Sequence, residues 1–217
     1  MDSLNYKKLY ALQDKVLALV FATEKEFYLT GGTCLSRFYS EKRYSDDLDF
    51  FTNQSPRYSF AVRNIKKALM EHFSLSVEVE SKDFSRYKID SLLQIDFVND
   101  IPFRYKEPVI NEQNYLIDNL ENILSNKISA IIGRDNPKDI FDLYLIWKIS
   151  QVHWAHILEA AHNKTDFTNE ELIIRLKTFP SQMLSSIKLT EPHFLDNFEK
   201  EFPLLISEII EIDSRGY

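Results

Sequence analysis

The chain has 217 residues, 44% of them hydrophobic and 27% charged, with a formal net charge of −7. This is the composition of an ordinary globular protein, and the negative charge argues against indiscriminate nucleic-acid binding, whose affinity comes largely from neutralising phosphates. A single cysteine excludes an intramolecular disulfide and any multi-cysteine metal centre, in keeping with a reducing cytoplasm, and four glycines and seven prolines leave no flexible linker.

Residues 1–26 lack the long apolar run of a secretory signal or membrane span, so a cytoplasmic protein without a membrane partner is expected. Apolar residues recurring from Leu4 to Val20 predict an amphipathic helix over residues 3–23. Phe27 to Thr30 reads as a short strand broken by Gly31 and Gly32, after which Thr33 to Phe38 reads as a helix start. Glycines there let bare backbone approach a ligand, and a helix N-terminus offers N–H groups to a phosphate. Fourteen residues separate Gly32 from Asp47-Leu48-Asp49. On a strand the two carboxylates leave the same face, repel each other and call for a hard cation, Mg²⁺ or Mn²⁺ rather than zinc. Arg43 and Ser45 precede the pair in a loop expected over the site, where an arginine can neutralise charge developing on a phosphate. Arg37 reads as a surface residue, and Cys34 as a small residue packed under the turn.

A second helix is predicted over residues 56–72, followed by three β-like runs over 75–79, 86–89 and 92–98, whose alternation predicts consecutive antiparallel strands. Asp96 interrupts the apolar run Leu92–Val98, where an unpartnered charge is costly. It is the candidate third carboxylate, with the turn residue Asp90 as its rival. With three carboxylates, two ions about 3.5–4 Å apart could bridge a triphosphate. From Arg57 to Lys88 seven basic residues stand against four acids, a stretch able to face a polynucleotide; from Glu191 to Tyr217 seven acids stand against Lys200 and Arg215. A solvated face is the plainer reading of both.

After Pro102 and Pro108 the remainder reads as helical. Asp118 and Glu121 form a capping box for a helix ending at Gly133, and Asn136-Pro137 open the next. Lys127 falls within the apolar stripe of the first of these helices and Asp142 within the apolar run of the second. Each needs an opposite charge, and a Lys127–Asp142 ion pair that only fixes helix packing is one reading. The pair His153 and His156 lacks a third ligand and reads as helix surface.

The glycine pair, short helix and Asp-x-Asp resemble the nucleotidyltransferase superfamily. Gly31, Gly32, Thr33, Leu35, Arg43, Ser45, Asp47, Leu48, Asp49, Phe50 and Phe51 together resemble the AbiEii/AbiGii toxin family of type IV toxin–antitoxin and abortive-infection systems. The resemblance continues through Lys127, Arg134, Lys138, Asp139, Asp142 and Leu143, with Asn136-Pro137 inserted before Lys138-Asp139. It implies an α+β nucleotidyltransferase fold: a small mixed sheet flanked by helices over residues 1–108, then a helical lobe over 109–217 that closes the active-site cleft. It implies nucleoside triphosphate as substrate, with Asp47, Asp49 and Asp96 as metal ligands. Gly31, Gly32, Thr33, Arg43, Ser45 and Lys127 would hold the nucleotide, and Asp142 would orient Lys127 or act as a base. The implied acceptor is the 3′ end of tRNA, with translation blocked, and the implied partner is an antitoxin with a winged-helix domain. An enzyme modifying a small molecule or a protein, and a non-catalytic nucleotide-binding module, remain the alternatives.

Overall fold

The computed structural model describes residues 3–213; Arg215, which falls in the acidic C-terminal run, lies outside them. In chain order the elements are α1 (Ser3–Thr23), β1 (Tyr28–Thr30), α2 (Gly31–Phe38), β2 (Leu48–Asn53), α3 (Tyr58–His72), β3 (Leu75–Glu80), β4 (Phe84–Ile89), β5 (Leu93–Asp100), β6 (Val109–Ile110), β7 (Leu116–Ile117), α4 (Leu120–Gly133), α5 (Pro137–Ile149), α6 (Trp154–His162), α7 (Asn169–Thr178) and α8 (Phe198–Asp213), with a 3-10 turn at Ser181–Ser186. The chain divides into two units. The first takes the chain up to Tyr39, then Ser45–Pro102 and Glu107–Asp118; the second takes Ser40–Tyr44, Phe103–Lys106 and the chain from Asn119 on.

The first unit is built on a seven-stranded sheet in the order β3-β4-β5-β2-β1-β7-β6. β3, β4 and β5 are consecutive antiparallel neighbours, as their alternation predicts, whereas β2 pairs parallel with β5 and antiparallel with β1. Residues 109–117, beyond the expected boundary at Pro108, add β6 and β7 to the sheet through a parallel pair between Leu29 and Ile117. Period-two alternation is visible in burial. Ser85, Tyr87 and Ile89 of β4 and Leu48, Phe50 and Thr52 of β2 are buried, while Phe84, Arg86, Lys88, Asp49, Phe51 and Asn53 are half-buried on the opposite face. Phe50 and Phe97 stack with ring centroids 5.2 Å apart, and Phe27 meets Phe97 edge-on at 5.1 Å, placing an aromatic layer beneath the central strands. The helix predicted from Pro56 begins at Tyr58, because Ser55 Oγ accepts from the Arg57 amide and holds those residues in a turn.

The second unit is helical. Asn136 caps α5 by accepting from the Lys138 amide, with Pro137 in the first turn, as read from the sequence. The cap of α4 differs from the expectation. Asn119, not Asp118, accepts from the Asn122 amide at 2.8 Å, while Asp118 turns back to accept from Thr30 Oγ1 at 2.6 Å within the first unit. Lys164 donates to Asn122 Oδ1, Ser125 Oγ and Asn126 Oδ1, so this ammonium sits on neutral oxygens of α4. Trp147 and Trp154 both donate their indole N–H to Glu208 Oε2, at 3.0 and 2.7 Å.

Replacing the cap, Asn119→Ala, is expected to lower stability by about 1 kcal/mol, read as a shift of the urea midpoint with an unchanged slope; an unchanged midpoint would assign the cap elsewhere.

Candidate active site

The site begins with a close approach. Antiparallel pairing of β1 with β2 sets Thr30 opposite Asp49, and the next residue, Gly31, turns into α2 with φ of +72°. A Cβ at Gly31 would stand 2.5 Å from Asp49 Oδ2, inside any real contact. Gly31 therefore meets two demands that other residues fail together, a left-handed backbone and no side chain. Gly32 follows in the first turn of α2, whose N-terminal amides have no intrahelical partner.

The loop before β2 is tied to that helix by hydroxyls. Thr33 Oγ1 lies 2.8 Å from Ser45 Oγ and also hydrogen-bonds the Asp47 carbonyl. A hydroxyl has one proton, so Thr33 gives to the carbonyl and accepts from Ser45. From α1, the Tyr10 hydroxyl accepts from the Ser45 amide and Gln13 Nε2 donates to the Ser45 carbonyl, both at 3.1 Å. Arg37 is not the surface residue expected. It donates to Gln13 Oε1 and Asp14 Oδ1 at 2.9 and 2.6 Å and stacks 4.4 Å over the Tyr10 ring. The side chains that position Ser45 are thereby positioned themselves. Cys34 is fully buried, donating to the Asp118 carbonyl, and burial first, then the Asp118 charge, pushes its thiol well above the ordinary range. It is packing, not a nucleophile.

Asp49 and Asp96 are register partners on the parallel strands β2 and β5, and Asp47 immediately precedes β2. Asp96 is 6% exposed, and both its oxygens are held by Arg86 of β4, Nε at 2.8 Å and Nη2 at 2.6 Å. Asp90, the rival, has φ of +49° and accepts from the Ser74 amide, a local turn role. Among the described residues no three His, Cys, Asp or Glu side chains converge as a ready metal site. The donor chemistry nevertheless fits a hard divalent cation: Asp47 and Asp49 are oxygen donors two residues apart, beside a glycine that leaves room. Asp96, in register with Asp49, is a third oxygen donor on that face, held here by Arg86.

The second unit holds a chain of charges that is buried except at Arg134. Arg43 is 2% exposed and grips Asp142 with Nε on Oδ1 and Nη2 on Oδ2, both at 2.7 Å. Lys127 bridges Asp142 Oδ2 at 2.7 Å and Asp139 Oδ1 at 2.9 Å, and Arg134 forks onto Asp139 at 2.7 and 3.1 Å. Three cations meet two carboxylates. Burial pulls Lys127 down, but Asp142 and Asp139 outweigh it and hold the ammonium above the usual lysine range. Burial likewise pushes Asp142 and Asp139 up, and is outweighed, for Asp142 by Arg43 and Lys127 and for Asp139 by Lys127 and Arg134. Lys127 is thus a fixed cation, and Asp142 a carboxylate kept ionised.

The sequence-derived residues accordingly fall into two groups. Gly31, Gly32, Thr33, Ser45, Asp47, Asp49 and Asp96 share the first unit; Arg43, Lys127 and Asp142 form one network in the second. Sequence reasoning missed Arg86, which no local signal pairs with Asp96, and the partnership of Asp139 with Lys127, whose signal was i−3 spacing from Asp142.

The family pattern described as "Nucleotidyl transferase AbiEii toxin, Type IV TA system" matches residues 17–211. No curated protein matches the sequence. Among solved structures the chain is similar to a candidate nucleotidyltransferase from Helicobacter pylori, with 19% identity, TM-score 0.63 and all of both chains covered. It is also similar to MenT4, a nucleotidyltransferase toxin from Mycobacterium tuberculosis, with 13% identity, TM-score 0.64, and 95% of this chain and 84% of that one covered. The antibiotic-resistance factor ANT(2'')-Ia is similar at 15% identity and TM-score 0.52, with 70% of this chain and 90% of that one covered.

Two outcomes test the geometry. Gly31→Ala forces a side chain into the left-handed region and onto Asp49, and is expected to cost at least about 1–2 kcal/mol in a urea melt. Asp142→Asn leaves buried cations facing a neutral amide and is expected to cost roughly 3–5 kcal/mol at neutral pH. Because both network carboxylates lie below their ordinary value of 3.8 in the folded chain, their stabilisation is present above that value and is lost as pH falls through the depressed folded values. The wild-type advantage over Asp142→Asn should therefore shrink in acid; an advantage that grows there would contradict the assigned charge states.

Proposed function

The chain belongs to the AbiEii nucleotidyl transferase toxin family of type IV toxin–antitoxin systems, an NTP-dependent nucleotidyltransferase, and we propose that its acceptor is the 3′ end of tRNA, so that added nucleotides block translation. One observation supports the nucleotidyl transfer, the acceptor resting on the family resemblance: the Gly31 backbone lies against Asp49, which is in register with Asp96. Phosphate-facing backbone and acidic side chains thus occupy adjoining positions on one sheet.

In the proposed reaction the acceptor hydroxyl oxygen bonds to the α-phosphorus, the bond from that phosphorus to the bridging oxygen breaks, and pyrophosphate leaves. A divalent cation, Mg²⁺ or Mn²⁺, held by Asp47 and Asp49 would supply charge neutralisation along the triphosphate. Amides at Gly31, Gly32 and Thr33 receive phosphate oxygens, and the Thr33–Ser45 hydroxyl pair holds the loop carrying Asp47 in place. A carboxylate oxygen of Asp96 takes the acceptor proton. For Lys127 the assignment to the triphosphate rests on family resemblance; supporting it, the lysine stays charged between Asp139 and Asp142. Asp142, gripped by Arg43 and Lys127, suits orientation of that lysine better than proton removal. The same grip suits Arg43 to holding Asp142. No helix among the described residues is long and apolar enough to cross a membrane, and we assign the protein to the cytoplasm. Family membership brings a cognate antitoxin as partner, for which we propose a winged-helix protein.

The net charge of −7 favours a second reading, transfer to a small molecule or a protein side chain. Incubating purified protein with each α-labelled nucleotide, Mg²⁺, and total RNA or total protein separates the two. Label is expected in tRNA-sized RNA, and Asp49→Ala should lower its rate by at least about 10²-fold, the loss typical of removing one group that stabilises transition-state charge. Label confined to protein would sink the tRNA reading. Growth inhibition surviving Asp49→Ala would make a non-catalytic module of the chain.

A further inference from the structure

Alternation on β4 sets Phe84, Arg86 and Lys88 on one half-buried face of the sheet, the face that carries Asp49 and Asp96. Across the β4–β5 ladder Arg86 stands opposite Asp96 and Lys88 opposite Gln94, so this strip leads directly away from the carboxylates. Arg86 has a double role to account for. Its fork covers both oxygens of Asp96, yet its side chain is 36% exposed against 9% for Asp96, so solvent reaches the guanidinium and hardly reaches the carboxylate. After Asp96, the charges of Asp47 and Glu78 also bear on the guanidinium, so it is the cation resident among these acids. Its Cζ lies 5.4 Å over the Phe84 ring, which supports the guanidinium from one side.

We propose that Arg86 and Lys88 form the track for the phosphate backbone of a single-stranded RNA acceptor, and that Arg86 releases Asp96 when an acceptor phosphate takes its guanidinium. This rests on the reading that the acceptor is RNA. Phosphate is the planar-fork ligand that competes with carboxylate for arginine, and a compact ammonium at Lys88 extends the track by one more contact. In the clamped form the Nε–Nη2 fork of Arg86 is unavailable to RNA and Asp96 is unavailable to a divalent cation. In the exchanged form both are available. Arg86 is therefore a positioning residue that couples acceptor binding to cation binding, and coupling of this kind is reciprocal by thermodynamic necessity.

The test uses the full chain without nucleotide, with a fluorescent single-stranded RNA ending in a 3′-deoxy nucleotide. RNA affinity is read by anisotropy across NaCl concentrations, and Mn²⁺ affinity by electron paramagnetic resonance with and without the RNA. Lys88→Ala is expected to flatten the log–log salt slope by about 0.7, one phosphate contact on a single strand, and to keep the coupling. Wild type is expected to bind Mn²⁺ about fivefold more tightly when RNA is present, and RNA more tightly by the same factor when Mn²⁺ is present. Arg86→Ala should bind Mn²⁺ tightly without RNA and show no coupling; Arg86→Lys, which keeps charge but not the fork, should keep the salt slope and lose most of the coupling, and carries the test if the alanine variant does not fold. Unchanged slopes, undiminished coupling in both Arg86 variants, or no binding of RNA by wild type each overturn the proposal. Should wild type show slopes and coupling as expected yet transfer no nucleotide to any RNA, the acceptor reading falls and the exchange clamp stands. Transfer to RNA with slopes unchanged has the opposite meaning.

Discussion

The contact between the Gly31 backbone and the Asp49 carboxylate is the constraint around which the first unit is arranged. It exists because β1 and β2 pair with Thr30 opposite Asp49 and because the chain leaves β1 in a left-handed conformation. A shift of one residue in that pairing would turn Asp49 to the buried face, where Leu48 and Phe50 now sit. The aromatic layer of Phe27, Phe50 and Phe97 fixes the register from below, since these rings fit only with the odd-numbered partners of β2 outward. Packing that bears no chemistry thus decides that Asp49 stands on the half-buried face, in register with Asp96. The hydroxyl pair of Thr33 and Ser45, and behind it Tyr10, Gln13 and Arg37, then carries the same precision to the loop before Asp47.

The second unit handles charge by a different physical route. In the first, Asp49 remains half-buried beside a bare backbone; in the second, Asp142 and Asp139 are almost wholly desolvated. Desolvation alone would neutralise them. Arg43, Lys127 and Arg134 prevent it, and the cations are in turn kept ionised by the carboxylates, so that no member of the chain can be altered without changing the charge state its neighbours prefer. Such a network is a poor proton donor or acceptor and a good rigid cation. Arg43 joins it from a short segment, residues 40–44, whose backbone is held by a bridge between Arg43 and Leu189.

Much of this was legible in the sequence, and the parts that were not have physical reasons. Gly31, Asp47 and Asp49 could be read because backbone conformation and charge repulsion are local demands that leave their mark on neighbouring residues. Helices α1 and α5 could be read because their signals, apolar period and an Asn-Pro cap, are also local. Arg86 could not, since nothing in Ser85-Arg86-Tyr87 tells which residue of the next strand it will face; hairpin register decides that. Arg37 read as surface because its partners, Gln13 and Asp14, lie more than twenty positions away on α1. Asp118 fulfilled the pattern of a cap but lost the role to Asn119, because Thr30 of the neighbouring strand offered it a buried hydroxyl. Strands β6 and β7 escaped notice because two residues are too short for any alternation to show.

The two indoles that share Glu208 have an optical consequence. Trp147 and Trp154 are the only tryptophans in the chain, and both donate to one carboxylate oxygen within the second unit. Intrinsic emission excited at the red edge of the protein absorption band therefore looks out from a single spot. It follows the loosening of helices α5, α6 and α8 and says nothing directly of the sheet, whose only large fluorophores are tyrosines. A denaturation curve read by tryptophan emission alone would describe half a protein, and agreement with circular dichroism is what would certify that both halves melt as one.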